Sequence, residues 1–289
     1  MLGHKLVQSW SNRFEVWAAL RGKFSDYEKY GIFDKDRTVE GIDAMDFATI
    51  ENAIKQVKPD VVVNAIGIIK QLPSAKNTVL TLSVNSILPH KLAELGEAEG
   101  YRLITISTDC IFNGKKGNYT EDDLSDAEDL YGKSKYLGEV SAKNCLTIRT
   151  SIIGRELESA HSLVEWFLSN RGNKDSGGVG RIKGFTKAIY SGFPTIVLAD
   201  IIAGLLENFP ELQGVYQVSS EPVNKYDLTN LFNKYYRAGI EIDPDTDFTI
   251  DRSLNSDRFR RLTGFKPDTW EAMIEKMAGD PTPYDEWRK

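Results

Sequence analysis

The chain has 289 residues, 41% of them hydrophobic, so it can bury the core of one large domain or two modest ones. A formal net charge of -6 with scattered positive charges excludes a basic surface for nucleic acid. Cys110, Cys145 and three isolated histidines lack the spacing of a disulfide framework or a metal site, so we predict no metal. With no signal-like or membrane-spanning apolar run, we expect a cytoplasmic protein that binds neither nucleic acid nor membrane.

The first half of the chain alternates helices and strands. In chain order the patterns predict a helix at 2–10, strands at 14–20 and 38–43, a helix at 47–57, a strand at 60–67, a helix at 74–99, a strand at 102–107, a helix from 131 to about 143 and a strand at 145–150. The strands at 60–67 and 102–107 are apolar throughout, which is typical of sheets covered on both faces. We therefore predict an α/β fold with a doubly wound, Rossmann-like parallel sheet.

The second half of the chain is less regular. It contains a glycine-rich stretch at 172–184, helices at 199–208 and 224–236, strands at 215–219 and 248–250, and helices at 256–262 and 270–277. We predict a dinucleotide-binding domain over 1–152, joined by parts of 190–220. A smaller C-terminal α/β substrate lobe is predicted over 153–289.

Tyr131 and Lys135 form a candidate proton-transfer pair. Residues four apart share one face of a helix, so the ammonium of Lys135 is expected to lower the pKa of the Tyr131 phenol. Thr108, at the end of a buried strand, could hydrogen-bond the same substrate oxygen. With twelve tyrosines in the chain, a lone Tyr-x-x-x-Lys match is weak, but the strand, loop and helix around it favour a catalytic site.

Polar and small residues follow the predicted strand at 60–67, at the edge where open α/β sheets bind ligands. They are Asn64, Ala65, Ile66 and Gly67. This segment fits the approach of a nucleotide, and it also fits an ordinary tight turn. Asn85 lies within the long predicted helix, which Pro89 should kink, and is either a site residue or an exposed amide.

Arg21 and Lys23 follow the predicted strand at 14–20, where dinucleotide folds read the adenosine ribose. Arginine suits the 2′-phosphate of NADP, whereas an acidic residue prefers the free hydroxyl of NAD. No acidic residue stands at that strand end, which favours NADP(H) over NAD(H). The alternative is that both are surface charges.

Several motifs together resemble the extended short-chain dehydrogenase/reductases, and most closely the dTDP-4-dehydrorhamnose reductases and related nucleotide-sugar reductases. The motifs are Thr108-Asp109, Phe112-x-Gly114, Tyr119-Thr120-Glu121, Tyr131-Gly132-x-Ser134-Lys135-x-x-Gly138-Glu139, Ile148-Arg149-Thr150-Ser151, Gly214 to Ser219 and Arg252 to Ser256. The resemblance covers nearly the whole chain. It implies reduction of a keto-deoxysugar nucleotide by NADP(H).

The resemblance also implies roles for individual residues. Thr108, Tyr131 and Lys135 would be catalytic, and Lys135 would also hold the nicotinamide ribose. On the cofactor side it implies Asn64 to Gly67, Asn85, and Asp43 with Ala44 against the adenine. On the substrate side it implies Thr108, Asp109, Cys110, Arg252 and Asn255. A homodimer is compatible with this class.

This sequence departs from the family pattern in two places. Cys110 replaces a tyrosine that commonly contacts the sugar, and a thiol there cannot serve as the acid of the related dehydratases, so dehydration is disfavoured. The family begins with a strand and a glycine-rich turn that binds pyrophosphate, of which Leu2 and Gly3 resemble the tail. We therefore expect the first strand and most of that loop to be missing from this sequence, because the protein starts earlier than the sequence given. The alternative is a shortened form with damaged cofactor binding.

Two other functions remain open at this point. A nucleotide-sugar epimerase would use the same tyrosine but retain NAD through its cycle. A non-catalytic protein of the same fold, like the regulatory beta subunit of methionine adenosyltransferase, would serve a partner enzyme.

Overall fold

The computed structural model of the protein describes residues 1–172 and 178–287. The helices are α1 Leu2–Trp10, α2 Phe24–Tyr27, α3 Phe47–Val57, α4 Thr78–Leu82, α5 Leu88–Glu99, α6 Leu130–Leu137, α7 Leu163–Ser169, α8 Thr195–Asn208, α9 Lys225–Tyr235, α10 Asp257–Thr263 and α11 Trp270–Ala278. The strands are β1 Ala18–Ala19, β2 Thr38–Val39, β3 Val61–Asn64, β4 Arg102–Thr108, β5 Cys145–Thr150, β6 Ile152–Ile153, β7 Arg181–Tyr190, β8 Phe193–Pro194, β9 Gly214–Gln217, β10 Val223–Asn224 and β11 Glu241–Asp251. None of the described helices is long and apolar enough to cross a membrane.

A parallel four-stranded sheet in the order β3-β4-β5-β9 forms the centre of the fold. In its register, Ile104 of β4 lies opposite Val63 of β3 on one side and Leu146 of β5 on the other. Parallel neighbours need long crossover connections, and the chain supplies them as helices. The predicted α/β class with a parallel central sheet is confirmed.

Helices cover both faces of this sheet. Leu103 and Ile104 of β4 are both fully buried, but they pack in different apolar clusters. Leu103 lies in a cluster with Ile50 of α3 and Leu92 of α5, whereas Ile104 lies in a cluster with Leu6 of α1. Because successive strand residues point to opposite faces, the two clusters lie on opposite sides of β4. The sheet is therefore doubly wound, as the apolar strands predicted.

The first two strands form a separate parallel pair. Ala18 lies opposite Thr38 and Ala19 opposite Val39, so the strands predicted at 14–20 and 38–43 have only two paired residues each. Among the described residues, β3 has a strand neighbour only in β4. The parallel strands therefore lie in two pieces, and Phe14 before β1 packs in the same apolar cluster as α1.

The helix predicted at 74–99 is broken into α4, a π-helical turn at Ser83–Ile87 and α5. Pro89 has no backbone N–H, so the carbonyl of Asn85 lacks the donor that it would have in a regular α-helix. The Asn85 carbonyl packs instead against Gly138, where a Cβ would lie only 1.9 Å from its oxygen. Gly138 also caps α6, so the helix predicted to reach about 143 ends at Leu137.

The second half of the chain contributes a mixed sheet in the order β10-β7-β11. Of β11, the sequence analysis predicted only residues 248–250, and it predicted no strand at β7. Strand β7 begins inside the glycine-rich stretch at 172–184, of which residues 173–177 lie outside the described residues. Most of β11 is exposed or half-buried and it contains Pro244, so the apolar alternation that marks a strand is weak. Strand β9 from this half pairs with β5 of the central sheet. The division into two domains at 152/153 stays a prediction.

Candidate active site

Thr108 and Tyr131 meet at the carboxyl end of β4. Thr108 is the last residue of the strand, and its Oγ1 accepts a hydrogen bond from the Cys110 N–H at 3.1 Å. Tyr131 is the second residue of α6, whose first turn is capped by Asp129 accepting from the Gly132 N–H at 2.7 Å. The Thr108 hydroxyl donates to Oδ1 of Asp109 at 3.2 Å, and it is close enough to Tyr131 to act on the pKa of that phenol. The structure thus brings together the two hydroxyl groups that the sequence placed in the site.

The pKa of the Tyr131 phenol shifts in the direction opposite to our expectation. Desolvation by the surrounding protein raises the pKa of Tyr131 well above its ordinary value, the nearby Cys110 adds to the rise, and the Thr108 hydroxyl opposes it. The ammonium of Lys135 does not contribute, because Nζ donates to the carbonyl of Ile106 at 2.6 Å. The predicted lowering by Lys135 is therefore wrong in this structure.

Lys135 lies one helical turn after Tyr131 and is only 8% exposed. Burial lowers the pKa of Lys135 to about 8, and the negative charge of Glu139 acts in the opposite direction. Part of the Lys135 population is therefore neutral slightly above pH 7, so its charge is adjustable near physiological pH.

The proposed cofactor residues at the start of the chain and after β3 lie side by side. A Cβ on Gly3 of α1 would lie 3.9 Å from the Cβ of Ala65, and Leu2 is buried in the adjacent cluster. Asn64 is buried, and its Oδ1 accepts from the N–H of Ile66 at 3.3 Å. The first N–H groups of α1 have no side-chain cap. Small residues beside an uncapped helix N-terminus suit a phosphate-bearing ligand.

Asn85 is a structural link rather than an exposed amide. It is 1% exposed, and it pairs with the backbone of Ile68 through Oδ1 at 2.8 Å and Nδ2 at 2.9 Å. Its Nδ2 also donates to Oγ of Ser134 on the helix that carries Tyr131, at 3.1 Å. Gly67 lies against it, because a Cβ there would be 3.4 Å from Oδ1. Asn85 therefore holds the loop after β3 against α6.

The residues predicted near the adenosine end form a second group. The N–H of Ile42 donates to the carbonyl of Leu20 at 3.0 Å, which places the segment with Arg21 and Lys23 beside the one with Asp43 and Ala44. Both cationic residues are exposed. Ala44 lines a cavity of about 150 Å³ together with Ile87 of the π-helical turn.

Sequence analysis missed an acidic residue in this second group. Glu40 accepts a hydrogen bond from the N–H of Phe24 at 2.7 Å, so its carboxylate lies at the start of α2, directly after Lys23. An acidic group near that position weakens the argument for NADP(H) over NAD(H). Sequence analysis did not predict this role for Glu40 because the residue lies about twenty residues after β1 in the chain.

On the substrate side, Arg252 reaches the turn that follows Thr108. Its Nε donates to the carbonyl of Phe112 at 2.8 Å, and its Nη1 lies 3.8 Å from the sulfur of Cys110. Burial and the charge of Asp109 raise the pKa of Cys110 to about 12, so this residue is a neutral thiol. The side chain of Asn255 instead makes a hydrogen bond at the start of α10, where its Oδ1 accepts from the N–H of Asp257.

Two lysines in this region were not predicted. The charges of Lys70 and Lys225 both act on Cys110 or its neighbours, and Lys225 also interacts electrostatically with Asp109 and Arg252. Within the described part of the chain, neither lysine has a carboxylate within ion-pair distance. Lys225 also lines a cavity of about 220 Å³ bordered by Trp166 and Phe185. Lys70, Lys225 and Arg252 therefore bring positive charge to the surroundings of Cys110.

A doubly wound parallel sheet, with Thr108 at the end of β4 and Tyr131 and Lys135 on helix α6 beside it, is the arrangement expected of the short-chain dehydrogenase/reductase class. Within that class, the model of the RmlD substrate binding domain matches residues 1–280. The chain therefore belongs to this family.

Two curated relatives illustrate the similarity. The chain is 28% identical over 227 residues to dTDP-4-dehydrorhamnose reductase of Aggregatibacter actinomycetemcomitans, covering 75% of this chain and 69% of that protein. It is 33% identical over 111 residues to the spore coat polysaccharide biosynthesis protein SpsK of Bacillus subtilis (strain 168). That alignment covers 37% of this chain, and the chain spans only 39% of SpsK.

Solved structures share the fold over most of its length. A hypothetical dTDP-4-dehydrorhamnose reductase from Sulfolobus tokodaii superposes with a TM-score of 0.73 at 24% identity, covering 94% of this chain and 95% of that one. The dTDP-4-dehydrorhamnose reductase from Bacillus anthracis in complex with NADP gives a TM-score of 0.69 at 19% identity, covering 91% and 98%. At these identities the comparison establishes the Rossmann-like fold.

Proposed function

We propose that this protein is an NADP(H)-dependent reductase of a keto-deoxysugar nucleotide, acting like a dTDP-4-dehydrorhamnose reductase. The observation that carries the proposal is the proximity of the Thr108 hydroxyl and the Tyr131 phenol at the end of β4, with Lys135 one turn further along α6. Membership of the RmlD substrate binding domain family supports the substrate class. The hydride for the keto carbon comes from the nicotinamide when the cofactor is bound.

Tyr131 donates the proton to the oxygen of the keto group. Because the pKa of this phenol is raised, Tyr131 stays protonated at neutral pH, which is the form that a proton donor needs. Thr108 lies beside it, and its hydroxyl, which donates to Asp109 in this structure, can turn to donate to the same developing oxyanion. Lys135 holds its charge beside them and binds the ribose hydroxyls. Cys110 remains a thiol and provides no acid for dehydration.

The residues of the cofactor side fit a dinucleotide along the edge of the sheet. Gly3, Ala65 and Gly67 leave room at the backbone beside the N-terminus of α1. The exposed cations Arg21 and Lys23 would meet a 2′-phosphate, whereas Glu40, which accepts from the Phe24 N–H, would favour a free hydroxyl instead. A relative of this fold is solved in complex with NADP, which supports a nicotinamide dinucleotide.

The cations near Tyr131 suit the diphosphate of a nucleotide sugar. Lys225 interacts electrostatically with Asp109, Arg252 lies beside Cys110, and Lys225 also lines the cavity bordered by Trp166 and Phe185. An anion held by the two cations would place a planar base against these aromatic rings and the sugar toward Tyr131. The lobe over 153–289 would then provide much of the substrate side.

The test is NADPH oxidation by the purified protein in the presence of a dTDP-4-keto-6-deoxysugar, measured for the wild type, Tyr131→Phe and Tyr136→Phe. Tyr136 lies on the same helix and is 39% exposed, so its variant is the matched control. We expect Tyr131→Phe to lose at least about 100-fold in kcat and Tyr136→Phe to keep full activity. Parallel assays with NADH measure the cofactor preference.

Several outcomes would refute the proposal. Full activity of Tyr131→Phe would remove the assigned proton donor. Tightly retained NAD with no net oxidation would favour an epimerase. Failure to bind either nicotinamide cofactor by calorimetry, together with co-purification of a partner enzyme, would favour a regulatory protein.

A further inference from the structure

A buried ion pair lies behind the catalytic helix. Glu139 and Arg149 form two parallel hydrogen bonds, from Nε to Oε1 at 2.9 Å and from Nη2 to Oε2 at 2.8 Å. Both side chains are 6% exposed. Taking two charges out of water is costly unless the geometry satisfies them, and the paired fork of guanidinium and carboxylate is the arrangement that does so.

Two further contacts fix this pair to the strands of the site. Oγ of Ser107 donates to Oε1 of Glu139 at 2.6 Å, and Ser107 directly precedes Thr108. Arg149 of β5 lies opposite Ser107 of β4 in the register of the central sheet. Its guanidinium also lies 5.8 Å from the ring centre of Phe112. Glu139 is thereby tied to both strands that end at the site.

Glu139 is also the charge that acts on Lys135. It follows Lys135 by four residues, just beyond the end of α6 at Gly138. The charge of Glu139 raises the pKa of Lys135 and so acts against the lowering caused by burial. The ammonium is held in place by its hydrogen bond to the carbonyl of Ile106 in β4.

The other elements packed against α6 bring few charges toward Lys135. Helix α4 and the π-helical turn contain no titratable side chain, and the turn after β4 contributes Asp109 and Cys110. In β4 itself, Arg102 lies at the opposite end of the strand. Arg149 of β5 is the cation paired with Glu139.

We propose that Glu139, held by Arg149 and Ser107, is a positioning residue that fixes the end of the catalytic helix and sets the charge of the Lys135 ammonium. Its catalytic meaning rests on the proposed function, in which Lys135 binds the cofactor ribose and supports Tyr131. Its electrostatic effect on Lys135 is a property of the folded protein alone. The two can therefore be tested separately.

An electrostatic role of Glu139 and a merely structural one predict different shifts of the Lys135 pKa when Glu139 and Arg149 are substituted one at a time. Glu139→Gln removes the negative charge and leaves the cation of Arg149, so Lys135 should lose its proton more easily. Arg149→Met leaves the carboxylate of Glu139 unopposed, so Lys135 should hold its proton more strongly. A structural clamp would loosen in both variants, and it gives no reason for shifts of opposite sign.

The readout is competitive labelling of lysines with trace acetic anhydride across pH, followed by mass spectrometry of the peptides. Lys133 is exposed on the same helix and serves as the internal reference. We expect the apparent pKa of Lys135 to fall by about 1 pH unit in Glu139→Gln and to rise by about 0.5 to 1 unit in Arg149→Met. The alkaline limb of the reductase pH profile should move in the same order.

Shifts of the same sign in both variants, or no shift in either folded variant, would overturn the proposal. Should Glu139→Gln not fold, the double variant Glu139→Gln/Arg149→Met leaves no unpaired buried charge and is compared with Arg149→Met alone. The pKa of Lys135 should then be lower in the double variant, and equality would overturn the proposal. Opposite shifts in a protein without reductase activity would refute the proposed function and leave the positioning role standing.

Discussion

Substituting Gly132 by alanine should separate the start of α6 from the turn that carries Cys110. A Cβ at this position would lie 2.2 Å from the carbonyl oxygen of Cys110 and 2.6 Å from the Cβ of Ala127. The first of these atoms is backbone in a turn tied to Thr108, so it cannot rotate away. Either the turn or the helix must move by about 1 Å to reach ordinary contact distance.

The expected cost follows from two opposing effects. Forcing one extra methyl into a packed site costs about 1 to 3 kcal/mol, whereas replacing glycine by alanine inside a helix contributes about 0.5 to 1 kcal/mol of stability. The net loss should therefore be about 1 to 2 kcal/mol, or about 2 to 3 °C in Tm for a chain of this length. Because Tyr131 precedes the substituted residue, kcat should also fall by about 10-fold or more.

Gly204→Ala is the matched control for this prediction. Gly204 lies inside α8, and a Cβ there would meet no atom within 4 Å. This variant should be more stable than the wild type by about 0.5 to 1 kcal/mol and should keep its activity. Both are measured by urea denaturation and thermal melting. A Gly132→Ala protein as stable as the wild type, or stability changes of the same sign in both variants, would refute the packing argument.

Three further predictions concern other residues. Burial lowers the pKa of His4 to about 3 in the folded protein. As the pH falls below about 6.5, His4 becomes protonated in the unfolded chain but stays neutral in the folded protein. The unfolding free energy should therefore drop by about 2 kcal/mol between pH 7 and pH 5. His4→Gln should lose this part of the slope in denaturation curves, and an unchanged slope would contradict it. Asn85→Ala should lower the unfolding free energy by about 2 kcal/mol, because the N–H and carbonyl of Ile68 lose their hydrogen-bond partner. The control His90→Ala removes one exposed contact to Leu137 and should change the unfolding free energy by less than about 0.5 kcal/mol. Equal losses in the two variants would contradict the role of Asn85 in holding the loop after β3. Lys225→Met should raise KM for the nucleotide sugar about 10-fold with little change in kcat, and a kcat effect without a KM effect would contradict a binding role.

Local sequence determined the elements whose signals lie within one segment. Helices α1 and α3 and strand β5 have the predicted bounds, because an amphipathic period or a continuous apolar run needs only neighbouring residues. The pairing of Thr108 with Tyr131 was also accessible, because both lie next to the carboxyl end of the same strand. The sequence likewise indicated the family to which the chain belongs.

Tertiary structure decided the features that depend on residues far apart in the chain. The π-helical turn before α5, the carboxylate of Glu40 near Lys23, and the position of Lys225 beside Asp109 leave no periodic trace in the sequence. The Tyr131 phenol is the clearest case. Spacing alone predicted that Lys135 would lower its pKa, but the fold binds that ammonium to the Ile106 carbonyl and surrounds the phenol with protein, so desolvation raises the pKa instead. Spacing along a helix sets which side chains can meet, whereas burial and competing partners depend on the whole fold.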